Sequence, residues 1–164
     1  MNAVARALAA PRWVAFALDD RRYALPLENV SRIVRAAEIT PLPLAPDPIA
    51  GALDVGGTIM PVYDLRHRLR LPPRALRLAD QIIIATTPKR PLALVVDQAL
   101  GIIEATLAMN PGGVAPDLGH LRGVLSTPDG LVLIQDLESF LSPAEDHALE
   151  SALRDAEAQC TPAP

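Results

Sequence analysis

Residues 51–69 decide the fold prediction, because their sequence, GALDVGGTIMPVYDLRHRL, has a counterpart in residues 123–141, GVLSTPDGLVLIQDLESFL. Each segment begins with a glycine, continues through an apolar run and reaches Asp-Leu at the same spacing. An internal repeat of this kind predicts two copies of one structural unit. The matched positions are Gly51 with Gly123, Leu53 with Leu125, Val62 with Ile134, Asp64 with Asp136, Leu65 with Leu137 and Leu69 with Leu141.

The correspondence extends toward the N-terminus of each copy with a slightly different offset. Conservative pairs such as Glu28 with Asp97 accompany the identities in the same order. Because the matches are ordered and not only apolar, they indicate duplication rather than chance. The identical pairs are Arg21 with Arg90, Ala24 with Ala93, Leu25 with Leu94, Ile33 with Ile102 and Ala36 with Ala105.

Each copy starts with two apolar segments separated by a polar four-residue turn, a pattern typical of a β-hairpin. The predicted hairpin strands are residues 13–18, 23–27, 82–87 and 92–96. The glycine-started segment predicts a further strand pair, and Asp64 or Asp136 then predicts the N-cap of a short helix. Apolar runs without alternation, such as residues 82–84, favour strands covered on both faces. The sequence therefore predicts a mainly β protein of two small five-stranded β-barrel lobes packed side by side, with short helices and a C-terminal helix.

The C-terminal helix is predicted over residues 142–158. Ser142 and Glu145 form a capping-box pattern, with Pro143 at the first helical position. Alanines and leucines then form an apolar stripe, which favours packing against the body, with a partner-facing role as the alternative. The predicted organisation is a flexible tail over residues 1–12, a two-lobed domain over residues 13–141, this helix, and a second tail over residues 159–164.

The composition excludes several classes of protein. The 164 residues carry a net charge of −4 and only 3% aromatic residues, which disfavours a nucleic-acid partner. The single cysteine, Cys160, can form neither a disulfide nor a cysteine metal site within one chain. No apolar run approaches the ~20 residues of a membrane span. We therefore expect a cytoplasmic protein without direct membrane insertion.

The residue types that support catalysis are scattered. His67, His120 and His147 lie in different segments, without a second ligand-type residue at metal spacing. The motifs of hydrolases, phosphate-binding loops and dinucleotide-binding folds do not occur. We therefore predict a non-enzymatic protein with no cofactor and no metal. A run of arginines predicts either a solvated face or a surface that docks an acidic partner: Arg66, Arg68, Arg70, Arg74 and Arg77.

The sequence resembles the CheW-like domain family from about Trp13 to Leu141. The resemblance is carried by residues 23–27 (YALPL), 39–43 (ITPLP), 61–66 (PVYDLR), 94–97 (LVVD) and 133–137 (LIQDL). It implies two five-stranded barrels packed around an apolar groove. It also implies an adaptor that couples a chemoreceptor-type sensor to a CheA-type histidine kinase in a chemotaxis or related two-component complex, at membrane-associated receptor arrays.

The resemblance also assigns a receptor-side surface. Its protein-binding residues would be Val30, Arg32, Ile33, Leu53, Asp54, Gly56 and Gly57. Asp54 and Gly56 take the places of the asparagine and arginine in the family's Asn-Leu-Arg-Gly turn, and Arg32 takes the place of a glutamate. Arginine has five hydrogen-bond donors that glycine lacks, and a change from glutamate to arginine inverts a charge. The implied partners are the regulatory domain of the kinase and the cytoplasmic tip of the receptor.

These departures leave several functions open. The protein could serve a divergent receptor with complementary charges, or bind the kinase alone. It could also be an adaptor of another pathway, such as pilus motility. A small-molecule sensor with an apolar ligand in the groove is a further alternative, disfavoured by the few aromatic residues.

Overall fold

The computed structural model describes residues 10–109 and 121–160. Within these ranges the chain forms eleven β-strands, one 3₁₀ turn (Leu27–Asn29) and two α-helices, α1 (Leu65–Arg68) and α2 (Pro143–Cys160). The strands are β1 (Arg12–Leu18), β2 (Arg21–Pro26), β3 (Val30–Arg35), β4 (Ile49–Val55), β5 (Thr58–Tyr63), β6 (Gln81–Thr86), β7 (Pro91–Val96), β8 (Gln98–Glu104), β9 (Leu107–Met109), β10 (Leu121–Thr127) and β11 (Gly130–Gln135).

The strands form two sheets, one in each lobe. Sheet A has the order β8-β1-β2-β11-β10-β9, and sheet B has the order β3-β6-β7-β5-β4. The prediction of a mainly β protein with two lobes is confirmed. The expected closed barrels are corrected, because the described strands form open sheets whose two outer strands do not pair with each other. Sheet A also contains a sixth strand, β9, which the repeat did not predict.

Each sheet combines the first hairpin of one sequence copy with later strands of the other copy. Strands β1 and β2 lie between β8 and β11, whereas β6 and β7 lie between β3 and β5. The two sheets have the same order when β1 is matched with β6, β2 with β7, β3 with β8, β4 with β10 and β5 with β11. The duplication therefore gives two lobes that exchange their hairpins.

The pairing register follows the duplication as well. In sheet A, Ile134 lies opposite Ala24 in a parallel pair, and in sheet B the repeat-related Val62 lies opposite Ala93. In both strands that contain the repeated glycine, the pairing register shifts immediately before it. The shift lies before Gly51 in β4 and before Gly123 in β10. The sequence repeat is thus preserved at the level of single residue pairs.

Gly51 is required by a close approach of two segments. A Cβ atom at this position would lie 2.4 Å from the carbonyl oxygen of Thr40. The same oxygen accepts the N–H of Ala52 at 2.8 Å, and the N–H of Thr40 donates to the carbonyl of Ala52 at 3.0 Å. This short bridge ties the connection after β3 to β4, and any larger side chain at Gly51 would displace it.

The largest apolar cluster lies between the sheets and beneath α2. Phe16 and Tyr23 stack with their ring centroids 5.8 Å apart, and Tyr63 and Phe140 stack at 4.7 Å. Leu149 of α2 is fully buried in the same cluster. The helix therefore packs against the body, as its apolar stripe favours.

The ends of the helices differ in part from the prediction. Glu145 and Ser142 form the predicted capping box, with N–H to side-chain oxygen distances of 3.2 and 2.8 Å. Asp64 caps α1 by accepting the N–H of His67 at 3.1 Å. The segment after Asp136 is a turn and not the expected short helix, because it must bring Phe140 into the core and then begin α2 almost at once.

Two element boundaries differ from the predicted ranges. Helix α2 extends to Cys160, two residues beyond the prediction, and β1 includes Arg12, which was assigned to the N-terminal tail. The rest of that tail up to residue 9, the segment that contains His120, and residues 161–164 lie outside the described residues.

Candidate protein-binding surface

Strand β3 carries three of the predicted site residues on the open edge of sheet B. Ile33 is 37% exposed, and Arg32 is exposed and forms no ion pair with any other described residue. Val30 is half-buried and packs against the main apolar cluster. The strand pairs on one side only, with β6, so it presents free backbone groups and an isoleucine to a partner.

The turn between β4 and β5 contains the other predicted residues. Gly56 and Gly57 have φ angles of +61° and +89°, which suit the primed two-residue turns of β-hairpins. The Asp54 carboxylate accepts the N–H of Gly57 at 2.8 Å and so holds the turn closed. Leu53 is only 7% exposed and belongs to the interior cluster of the lobe, so it supports the turn from within.

The structure joins these residues into two groups. Asp54, Gly56 and Gly57 lie together in the turn, while the β3 residues occupy the opposite outer strand of the same sheet. Three strands separate β3 from β4 in the sheet order, although Val34 of β3 and Leu53 of β4 belong to one apolar cluster. The sheet is therefore curved, and the two groups lie at the edges of a curved surface rather than side by side along one strand.

Strand β8 forms a second open edge that the sequence interpretation missed. It is the outer strand of sheet A and the repeat-related counterpart of β3. Leu100 and Ile102 are 42% and 59% exposed on it. The match of Ile33 with Ile102 in the repeat was the signal that could have predicted this edge, because it places equivalent apolar residues on both outer strands.

A network of ion pairs connects the two lobes. Arg66 follows β5 of sheet B and donates to Asp19 in the β1–β2 turn of sheet A at 2.8 and 3.2 Å. It also donates to Asp97, between β7 and β8, at 2.9 and 3.0 Å. Arg74 contacts the same Asp97 and forms a bidentate pair with Asp80 at 2.7 and 2.8 Å.

The arginines of this network lower the pKa values of their carboxylate partners. Hydrogen bonds from Arg74 are the main cause of the lowered pKa of Asp80. Burial alone would raise the pKa of Asp97, but hydrogen bonds from Arg66, Arg74 and the backbone of Asp19 outweigh it and lower that pKa. Both carboxylates therefore remain charged and paired over a wide pH range.

Most of the arginines that were predicted to form either a solvated face or a docking surface for an acidic partner instead form contacts within the molecule. Arg66 and Arg74 belong to the network, with 11% and 16% of their side chains exposed. Arg68 pairs with Glu145 of α2 at 2.6 Å and lies 5.2 Å from the ring centroid of Phe140. These three side chains stabilise the fold, so this part of the arginine run is not a docking face.

The described residues contain no group of three or more His, Cys, Asp and Glu side chains placed to hold a metal ion. Asp97 is held by two arginines and accepts the N–H of Asp19 in the β1–β2 turn. In the same part of the chain, no helix is both long and apolar enough to cross a membrane.

Two curved sheets with open, partly apolar edges define a protein-binding scaffold. The CheW-like domain model matches residues 12–145, which include both lobes and the start of α2. The chain belongs to the CheW-like domain family. It is a chemotaxis coupling adaptor without enzymatic activity, as the family's members are, and none of the similar proteins supports a small-molecule sensor or a pilus-motility adaptor.

Individual relatives agree with the family assignment. The chain is 24% identical over 143 residues to the chemotaxis protein CheW of Thermotoga maritima, covering 86% of this chain and 94% of that protein. It is 30% identical over 128 residues to protein FrzA of Myxococcus xanthus, covering 73% and 80%. The crystal structure of the scaffolding protein TtCheW from Thermoanaerobacter tengcongensis superposes with a TM-score of 0.75 at 26% identity, over 83% of this chain and 95% of that one.

Proposed function

We propose that this adaptor links the cytoplasmic tip of a chemoreceptor to the regulatory domain of a CheA-type histidine kinase, in the cytoplasm at a membrane-associated receptor array. The observation that supports this proposal best is the presence of two open, repeat-related edges, one on each lobe. An adaptor that holds two different proteins needs two separate surfaces. The duplicated fold supplies them without further insertions.

We assign receptor binding to the surface formed by β3 and the β4–β5 turn. We expect the receptor to present acidic groups to this surface. Arg32 and Arg35 are exposed on β3, and Arg32 has no carboxylate partner among the described residues. Asp54 lies at the end of the opposite outer strand of the sheet and forms no ion pair with either arginine. A positively charged edge favours a partner of opposite charge. The divergent positions Arg32 and Gly56 therefore point to a receptor with altered charges rather than to loss of receptor binding.

The kinase is assigned to β8. Leu100 and Ile102 form an exposed apolar pair on an edge strand that pairs with β1 alone among the described strands, although the N–H of Ala99 donates to Oε1 of Gln81 at 2.6 Å. Exposed apolar residues on an open edge promote association, and they favour a contact with another protein. This edge carries fewer charges than β3 and therefore suits a partner that presents an apolar surface.

The test is a pair of titrations of the purified protein, one with the kinase regulatory domain and one with a receptor tip fragment from the same source. Affinities in the micromolar range typical of transient signalling contacts are expected for both. Arg32→Glu should weaken receptor binding about tenfold, the size of one charge reversal at an interface, and leave kinase binding unchanged. Ile102→Asp should weaken kinase binding and leave receptor binding unchanged.

Arg154→Glu on the outer face of α2 is the matched control for the charge reversal, since Arg154 is 71% exposed and far from both edges in sequence. Gly56→Arg combined with Arg32→Glu should restore affinity for a conventional receptor tip. The space around Gly56 is open, so the arginine side chain meets no other atoms, although the φ of +61° costs the variant about 1 kcal/mol of stability. Absence of binding to both partners at ~100 μM, well above the range expected for signalling contacts, would contradict the proposal.

A further inference from the structure

A cleft of about 400 Å³ lies at the end of β11 in sheet A, beside the 3₁₀ turn. It is lined by Glu28, Pro88, Gln135, Asp136 and Glu138, together with a few neighbouring residues. We call these five residues the acidic cleft. None of the predicted receptor-side residues and none of the exposed β8 residues belongs to it, so it is a separate feature of the surface.

Gln135 is the unusual member of the acidic cleft. The residue is 1% exposed, and neither Oε1 nor Nε2 of its side chain has a hydrogen-bond partner among the described residues. Buried amide groups are nearly always hydrogen-bonded, because desolvation without a partner is costly. A fully unpaired glutamine in the wall of a cleft therefore indicates a ligand with polar hydrogens or acceptors.

The charges of the cleft show which kind of ligand fits. Glu28 and Glu138 are exposed and Asp136 is half-buried, and none of the three forms an ion pair with another described residue. The single lysine of the chain, Lys89, is paired with Asp146 of α2. Three carboxylates without a cation, next to an unpaired amide oxygen, favour a cationic group with several hydrogen-bond donors.

The other lobe contains the same arrangement with its cation in place. Asp97 corresponds to Glu28 in the repeat, and Arg66 corresponds to Glu138. In that lobe the guanidinium of Arg66 bridges Asp97 and Asp19. Tyr63, Asp64 and Arg66 are the counterparts of Gln135, Asp136 and Glu138. Replacement of the arginine by Glu138 reverses the charge at this position.

We propose that the acidic cleft binds an arginine side chain of a protein partner, which takes the place that Arg66 fills in the other lobe. The guanidinium pairs with Glu28 and Glu138, and Oε1 of Gln135, which is buried in the wall of the cleft, accepts from it once the side chain turns toward the ligand. Its planar set of five donors suits this group of acceptors better than the compact ammonium of lysine. The inference rests on the proposed adaptor function for the identity of the partner, but not for the chemistry of the cleft.

The chemistry is tested on the full-length protein by NMR, with N-acetylarginine amide as the probe and the neutral N-acetylcitrulline amide as its uncharged analogue. The arginine compound should shift the side-chain amide signals of Gln135 in a saturable manner, whereas the citrulline compound should not. Glu28→Gln combined with Glu138→Gln should weaken this binding at least tenfold. Glu38→Gln, on an exposed carboxylate outside the cleft, is the control and should leave binding unchanged.

A second variant tests the comparison between the lobes. Glu138→Arg should place a guanidinium next to Glu28 within the chain, abolish binding of the arginine compound and raise the melting temperature. Equal binding of the arginine and citrulline compounds, or unchanged binding by Glu138→Arg, would overturn the proposal.

The role of the protein partner is tested by titrating the Glu28→Gln, Glu138→Gln protein with the kinase regulatory domain and the receptor tip. One of the two affinities should fall about tenfold relative to Glu38→Gln, the size expected for loss of a charged interface contact. If both stay unchanged while the wild-type protein binds both partners, the assignment to a partner arginine is overturned and the adaptor function stands. If the wild-type protein binds neither partner, the adaptor function fails, and the NMR titration still decides the chemistry of the cleft.

Discussion

Ile134 on β11 lies opposite Ala24 on β2, so a strand near the end of the domain is hydrogen-bonded to the first hairpin of the chain. The parallel pair of Val62 and Ala93 makes the same connection in the other lobe. Neither sequence copy therefore contains a complete sheet. The two sheets are separate, but each is built from strands of both sequence copies, so the copies depend on each other for their hydrogen bonding.

This exchange predicts a single unfolding transition. Leu25→Ala in sheet A and Leu94→Ala in sheet B each remove a fully buried side chain and should each lower the free energy of unfolding by about 2–5 kcal/mol. Urea denaturation followed by Trp13 fluorescence and by far-UV circular dichroism should give coincident curves in both variants. Leu78→Ala, at a residue that is 98% exposed, is the control and should have little effect. Two separate transitions, one per lobe, would be inconsistent with exchanged hairpins.

The close contact at Gly51 predicts an unusually sensitive glycine. Gly51→Ala should lower the free energy of unfolding by about 2–4 kcal/mol, because its Cβ atom would collide with backbone atoms of Thr40 that cannot rotate away. Gly56→Ala is the matched comparison. Its φ of +61° is unfavourable for alanine, but no atom lies within 4 Å of the added Cβ, so a cost of about 1 kcal/mol is expected. Equal effects of the two substitutions would show that the Thr40 bridge does not constrain β4.

The ion-pair network predicts loss of stability in acid. Asp80 and Asp97 have pKa values lowered in the folded protein, so each stabilises the fold fully above the unfolded-state pKa of about 3.9. That contribution is lost as the pH falls from about 5 through the lower folded-state values. Urea midpoints measured from pH 7 down to pH 3 should therefore fall steeply in the wild-type protein and less steeply in Asp97→Asn. Leu149→Ala, a core substitution that removes no charge, should lower the midpoint at every pH without changing this slope.

Much of the fold could be predicted because the repeat involves residues whose roles are local. Gly51 and Asp64 are interpreted from a few neighbouring residues, and the structure places them at a strand position and at a helix cap. The exchange of hairpins could not be predicted in this way. A repeat states which strands are equivalent, but not whether the hairpin beside β11 comes from its own copy or from the other.

The ion pairs of Arg66 could not be predicted from the sequence for a similar reason. Arg66 meets Asp19 and Asp97, which lie in different turns and come together only through the exchange. As a consequence, the sequence interpretation took the arginine run for a surface feature. The counterpart of this contact in the other lobe, where Glu28 and Glu138 line one cleft, could be recognised only after the structure had brought the two residues into the same region.

The most direct test of the adaptor function is whether the protein brings its two partners together. A labelled kinase regulatory domain and a receptor tip fragment are centrifuged to sedimentation equilibrium with and without the adaptor. The account predicts a complex of all three components that forms only when the adaptor is present, and that Ile102→Asp or Arg32→Glu each reduce it by removing one of the two contacts. Association of kinase and receptor that is the same with and without the adaptor would contradict the account.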